Sequence, residues 1–311
     1  MTKLTPILLF IMALVSVTAR VHAQGCSDAG FCSIGALGQQ HTDSAANQKS
    51  QQLTLLSTVG LGDEKVFVAT PGVQYDVQFS RRWGIQAKLT TGYASGNLGS
   101  AIGLGDAIIS GIYTMLSGQG WKTSVTAGIK IPLNRGNLQK EEKGLPLQYQ
   151  SSLGTLDIIT GLSVSNAHWQ FAVGWQQPVS GRNGNTFLAA YWNDINASKY
   201  APGNEFGRKA DLLLRSAYLV QTNKSIKINF GLLGIYHLGN DTYINKNISN
   251  DPIPINGSQG LTLNITGGIW LPLGNKFTLG ATGGFPVIAR DIRPDGLTRK
   301  FVIAPELSYH F

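Results

Sequence analysis

A polar turn, then an aromatic or branched residue, then strict alternation: this unit recurs five times in the chain. It appears as SRRWGIQAKLTTGY from Ser80, SGQGWKTSVTAGIKI from Ser117, SNAHWQFAVGW from Ser165, TNKSIKINFGLLGIY from Thr222 and LGNKFTLGATGGF from Leu273. Alternation at period two describes a strand with two unlike faces. Between these tight turns lie longer connections: ASGNLGSAIG, LNRGNLQKEEKGLPLQYQSS, residues 180–206, GNDTYINKNISNDPIPINGS and the shorter ARDIRPDGL. Short turns alternating with long loops is the asymmetry of a membrane barrel, with its tight turns on one side and its loops on the other.

The pattern predicts about 12 strands, near residues 51–60, 65–79, 82–94, 104–116, 120–132, 153–165, 168–179, 207–221, 225–238, 259–272, 276–288 and 298–311. An even count puts both chain ends on the side of the tight turns. The fold expected is all-β, a transmembrane antiparallel up-and-down barrel over residues 51–311. Its faces separate cleanly. Trp121, Thr123, Val125, Ala127, Ile129 and Ile131 suit lipid, while Lys122, Ser124, Thr126, Gly128 and Lys130 suit water. A soluble sandwich also alternates, but low charge (14%), abundant glycine (38 residues) and aromatics at turn borders fit lipid-facing girdles better.

The N-terminus supplies the compartment. After Lys3 the apolar run ILLFIMALVSV (Ile7 to Val17) is about half the length needed to span a membrane as a helix, and Val21-His22-Ala23 offers small residues for cleavage. Residues 1–23 therefore read as a cleaved secretory signal, and residues 24–50 as a periplasmic segment or a plug. Removing Lys3 and Arg20 from 25 basic residues leaves 23 against 17 acidic ones. That balance is diffuse, without a dense Lys/Arg run, so nucleic acid is not an expected partner.

The chain finishes on FVIAPELSYHF, with Phe301, Ile303, Pro305, Leu307, Tyr309 and Phe311 on one face. This resembles the carboxy-terminal signature of bacterial outer-membrane proteins, and the resemblance implies recognition of Tyr309 and Phe311 by the barrel-assembly machinery. The location implied is the outer membrane of a Gram-negative bacterium, with its lipid as the surrounding partner.

A narrower likeness lies in IGLGDAIISGIYTML, residues 102–116, continuing to Asn134. Through Gly103, Leu104, Gly105, Asp106 and Pro132 the stretch resembles the phenol meta-degradation pathway transporter family of outer-membrane proteins. That resemblance implies a porin-like channel or transporter for small-molecule solutes, hydrophobic or aromatic ones included. The alternative from another class is a structural or ligand-binding barrel without transport.

The residues offer little catalytic chemistry. GxSxG and HExxH are absent, and no pair among the five histidines has ligand spacing, so neither an enzyme, nor a metal site, nor a cofactor is expected. Cys26 and Cys32, the sole cysteines, favour a local disulfide in an oxidising compartment, with a lipid-modified Cys26 as the alternative. What remains is the lumen. Parity points Asp76, Arg82, Lys88, Asp106, Lys122, Lys130, Asp157, Asp211, Arg215, Lys227 and Glu306 inward. These charges are either struts that fill the interior or the lining of a selective pore, and 12 strands is intermediate between filled and open barrels.

Overall fold

The computed structural model describes residues 50–116, 120–222, 226–295 and 299–311. The expected signal, nearly all of the 24–50 segment and the Cys26–Cys32 pair lie outside the described residues. Sixteen strands are present among the described residues. They are β1 (Ser50–Gly62), β2 (Phe67–Gln78), β3 (Trp83–Gly96), β4 (Gly99–Leu116), β5 (Lys122–Pro132), β6 (Gln139–Lys140), β7 (Lys143–Gly144) and β8 (Asp157–Ser165). There follow β9 (Trp169–Pro178), β10 (Asp211–Gln221), β11 (Lys227–His237), β12 (Thr242–Asn245), β13 (Ser249–Pro254), β14 (Gly260–Leu273), β15 (Phe277–Ile288) and β16 (Arg299–His310).

Twelve of these close into one antiparallel barrel in the order β1-β16-β15-β14-β11-β10-β9-β8-β5-β4-β3-β2. β6 with β7, and β12 with β13, form separate two-stranded hairpins in the long loops. Closure leaves no strand edge unpaired, the condition for strands to cross lipid. The seam joins β1 to β16, with Leu53 opposite Tyr309 and Leu55 opposite Leu307.

The alternation decides which face meets lipid. On β3, Trp83 (57% exposed), Ile85 and Leu89 point out, whereas Gln86 and Lys88 are buried inside. On β5, Val125, Ile129 and Ile131 are exposed and Ser124, Thr126 and Lys130 buried. Such a belt of exposed large apolar side chains on every barrel strand is the reverse of a soluble sandwich. Aromatic pairs ring the tight-turn end: Trp83 with Tyr113 at 4.7 Å, Trp169 with Tyr218 at 4.8 Å, and Phe277 with Tyr309 at 5.1 Å between centroids. Rings with an apolar body and a polar edge favour that interfacial depth. No helix of the described residues is long and apolar enough to cross a membrane. The molecule is an outer-membrane β-barrel.

Two expectations are corrected. ASGNLGSAIG is not a long connection: β3 and β4 continue pairing through it to Gly96 opposite Gly99. Arg82 is not on the inner wall. It sits exposed in the turn before β3, because the strand begins at Trp83 and parity lapses there.

Candidate functional site at the barrel mouth

The long loops fold over and into the mouth. Within residues 145–156, Leu145, Leu147, Gln148, Tyr149, Ser152, Leu153 and Thr155 are buried, against the inner faces of β2, β3 and β4. The seat for this segment is made of glycine. A Cβ on Gly92 would stand 2.6 Å from Ser151, and one on Gly103 2.7 Å from its hydroxyl. Only a bare backbone lets the loop approach so closely. The Gly103-Leu104-Gly105-Asp106 stretch is therefore a docking trough, whose Asp106 accepts a 2.6 Å hydrogen bond from Ser152.

Above it the loops make a core of their own. Val66, Val68, Ala94, Leu98, Leu145, Tyr149, Phe187, Ala197 and Tyr200 form one cluster, and Leu147, Leu153, Phe206 and Ile255 another. The Tyr149 hydroxyl accepts from the Leu98 amide at 3.1 Å and meets the Tyr200 hydroxyl at 3.2 Å. Burial and this tyrosine neighbour push the Tyr200 phenol well above its ordinary range.

Beneath the cap, a chain of buried charges crosses from strand to strand. Lys130 Nζ lies 2.8 Å from Asp157 and 3.9 Å from Asp106. Asp157 also accepts from Gln176 and lies 3.6 Å from Arg208, which in turn pairs closely with Asp211. Asp211 meets His237 Nδ1 at 2.6 Å, and Asp241 meets Nε2 at 2.8 Å. A carboxylate on each ring nitrogen suits the imidazolium, the form that carries a hydrogen on both. Ser258 Oγ accepts from the Asp241 amide at 2.8 Å, and its carbonyl accepts from Arg290 at 2.7 Å. Arg290 then pairs with Asp295 at 2.9 Å.

Every member of this chain is buried, with Lys130, Asp157, His237 and Asp241 each at 0% exposure. Burial works against the charge on Arg208, but Asp211 and Asp157 outweigh it and raise the guanidinium further. Burial likewise pushes Asp295 up, and the Arg290 and Arg208 guanidiniums overcome it, holding the carboxyl below the usual range. Between cap and wall lies a cavity lined by Thr70, Lys88, Thr90, Asp106, Gln148 and Asp295. It offers about 30 Å³ to the centre of a water-sized sphere, room for roughly two waters.

The structure thus gathers Asp106, Lys130, Asp157 and Asp211 at the mouth, with Lys88 on the wall of the adjoining cavity. The remaining inward charges lie elsewhere. Asp76 is half-buried and accepts from Gln74 at 2.8 Å and Gln86 at 2.7 Å. Glu306 accepts from Trp270 Nε1 at 2.7 Å. Arg215 is buried on β10, Lys227 opens β11 at the tight-turn end, and Lys122 is half-buried where β5 begins.

Arg208, His237, Asp241, Arg290, Asp295 and Trp270 escaped the sequence reading. One signal was available: Asp211 and His237 are equidistant in sequence from residue 224 and pair across β10 and β11. Trp270 turns inward, its ring laid over Gly268 and Gly280, where a Cβ would fall 2.5 Å and 2.6 Å from it.

No family model and no curated protein sequence matches the chain. The resemblance to the phenol meta-degradation transporters is accordingly not shown. Among solved structures, the chain is similar to the NanC porin (7% identity, 83% of this chain and 98% of that one, TM-score 0.49) and the KdgM porin (6%, 84% and 99%, 0.43). It is also similar to the outer membrane phospholipase A from Escherichia coli (9%, 86% and 98%, 0.39). Likeness at this level is shared barrel shape and carries nothing about activity.

Proposed function

We propose that the protein is an outer-membrane channel for small polar solutes, held shut at its extracellular mouth in the conformation described. The observation that carries this reading is the uneven lining of the lumen. Along β1, β2, β15 and β16 the inward side chains Gln52, Gln74, Asp76, Thr278, Thr282, Glu306 and His310 keep part of their surface in water, interrupted by the buried Thr54, Thr58 and Ser308. Along β5, β8, β9, β10 and β11 most of them are packed away, Lys122 and others near the tight turns being half-buried. A solvated polar strip beside a packed wall supports a narrow aqueous path that ends beneath the cap. Such a wall favours polar solutes over the hydrophobic or aromatic ones that the family resemblance suggested. In this reading residues 1–23 direct export and are removed.

The folded cap with its two apolar clusters favours a second reading, a ligand-binding or structural barrel without transport. The buried His237 cluster gives no support to an enzyme. Both nitrogens of His237 are occupied by carboxylates, which leaves none to activate a hydroxyl.

Planar-bilayer recording of the refolded mature protein tests the proposal. Low, intermittent conductance is expected from the native chain, rising when Asp211→Asn and Asp241→Asn together loosen the His237 clasp. Silence from both proteins would move the assignment to the ligand-binding barrel.

A further inference from the structure

On the outside of the barrel, where β5, β8 and β9 end, lies an open pocket of about 500 Å³ lined by Pro132, Leu133, Asn134, Arg135, Gly154, Arg182, Asn183 and Gly184. Two guanidiniums line it and no carboxylate does. Its frame is fixed. Asn134 Oδ1 accepts from the Gly136 amide at 2.6 Å, Asn183 Nδ2 donates to the Leu153 carbonyl at 2.9 Å, and the Gly184 amide donates to the Arg135 carbonyl at 2.9 Å. Arg182 donates one nitrogen to the Glu205 carbonyl at 2.8 Å, which aims the group and leaves the rest of its fork. The Arg135 side chain is exposed, lays its stem over Gly184 and makes no ion pair or side-chain hydrogen bond with another described residue.

The position of the pocket sets the ligand. Leu133 (39% exposed) and Val179 (48% exposed) carry the lipid-facing rows of Ile129 and Ile131, and of Val173 and Trp175, up to its floor. The pocket is thus cationic on the side of the loops and apolar on the side of the strands, where the lipid-facing rows end. A planar guanidinium fork matches a phosphate through paired hydrogen bonds, and basic pockets at a membrane surface bind phosphorylated headgroups. We propose that this pocket seats the phosphate of an outer-leaflet lipid, its acyl chains lying along Leu133, Ile131 and Val179. The site is independent of conduction through the lumen.

Native mass spectrometry of the mature protein released from detergent tests it, with bisphosphorylated lipid A, dephosphorylated lipid A and inorganic phosphate as probes. The phosphorylated lipid should be retained roughly tenfold better than its dephosphorylated form, the worth of one charged hydrogen-bond set. Arg135→Gln should abolish that preference without altering heat-modifiable migration, since the glutamine keeps most of the stem over Gly184 and the guanidinium pairs with no described residue. Arg182→Gln should weaken it too, and Arg81→Gln, an exposed cation in the turn between β2 and β3 at the other end of the barrel, should leave it intact. Equal retention of the two lipids, or unchanged preference in Arg135→Gln, overturns the proposal. Displacement of the lipid by inorganic phosphate also overturns it, by making the site one for the free ion.

Discussion

Lys130 is a lysine with no exposed surface, placed where the barrel wall gives way to the cap. A buried cation is tolerable only with its counter-charge, and Asp157 at 2.8 Å supplies it. Lys130→Met should therefore lower stability by about 3–5 kcal/mol, because Asp157 keeps only part of its compensation. Urea unfolding in detergent micelles, followed by tryptophan fluorescence, measures the loss. Lys130→Met with Asp157→Leu should recover a good part of it, since no charge is then stranded. Lys122→Glu, half-buried at the other end, should instead alter ion selectivity with little effect on unfolding. Alternation alone made both lysines legible as inward. It could not say that one is a strut, because Lys130 and Asp157 are joined through a long loop that no turn rule spans. Asp211 and His237, by contrast, face each other across one pair of consecutive strands and were open to discovery by simple symmetry.

At the scale of elements, the strands were readable because lipid enforces their pattern: a residue facing hydrocarbon is apolar, and the outward rows of β5 and β9 hold to this except at Thr123 and Gln177 near their ends. Beyond the lipid that discipline ends. The glycine and asparagine of ASGNLGSAIG have the composition of a loop, yet β3 and β4 pair through it, and the glycines serve as a seat for Ser151. The cap core was illegible for a related reason. Leu145, Phe187, Phe206 and Ile255 come from four separate places in polar loops and obey no period. If the trough seats the loop, Gly103→Val should displace residues 145–156 while β4 still pairs on both sides. The expected result is a raised single-channel conductance and faster proteolysis within 133–156, with the barrel strands protected. An unchanged cleavage pattern would show that the loop is held by the cap core alone.

For the whole molecule, the decisive contact is the seam. Phe311 donates its amide to the Gln51 carbonyl at 3.1 Å, and its ring packs edge-on against Tyr309 and Tyr75 at 4.9 Å and 6.3 Å. Deleting Phe311 should reduce the folded, heat-modifiable protein in the outer membrane several-fold while export across the inner membrane continues, as fractionation and unboiled gels would show. Equal folded levels would count against a role for the terminal aromatic in assembly. The seam also orders events in time. Every other pairing of barrel strands joins barrel strands consecutive along the chain, but Thr54 on β1 reaches Ser308 on β16 across a separation of 254 residues. Loop-closure entropy makes such a contact the last and slowest to form. Until the ribosome has released the final strand, β1 has no partner on one side. An unfinished barrel therefore presents an open edge, and its survival depends on that edge being covered and not on its own stability.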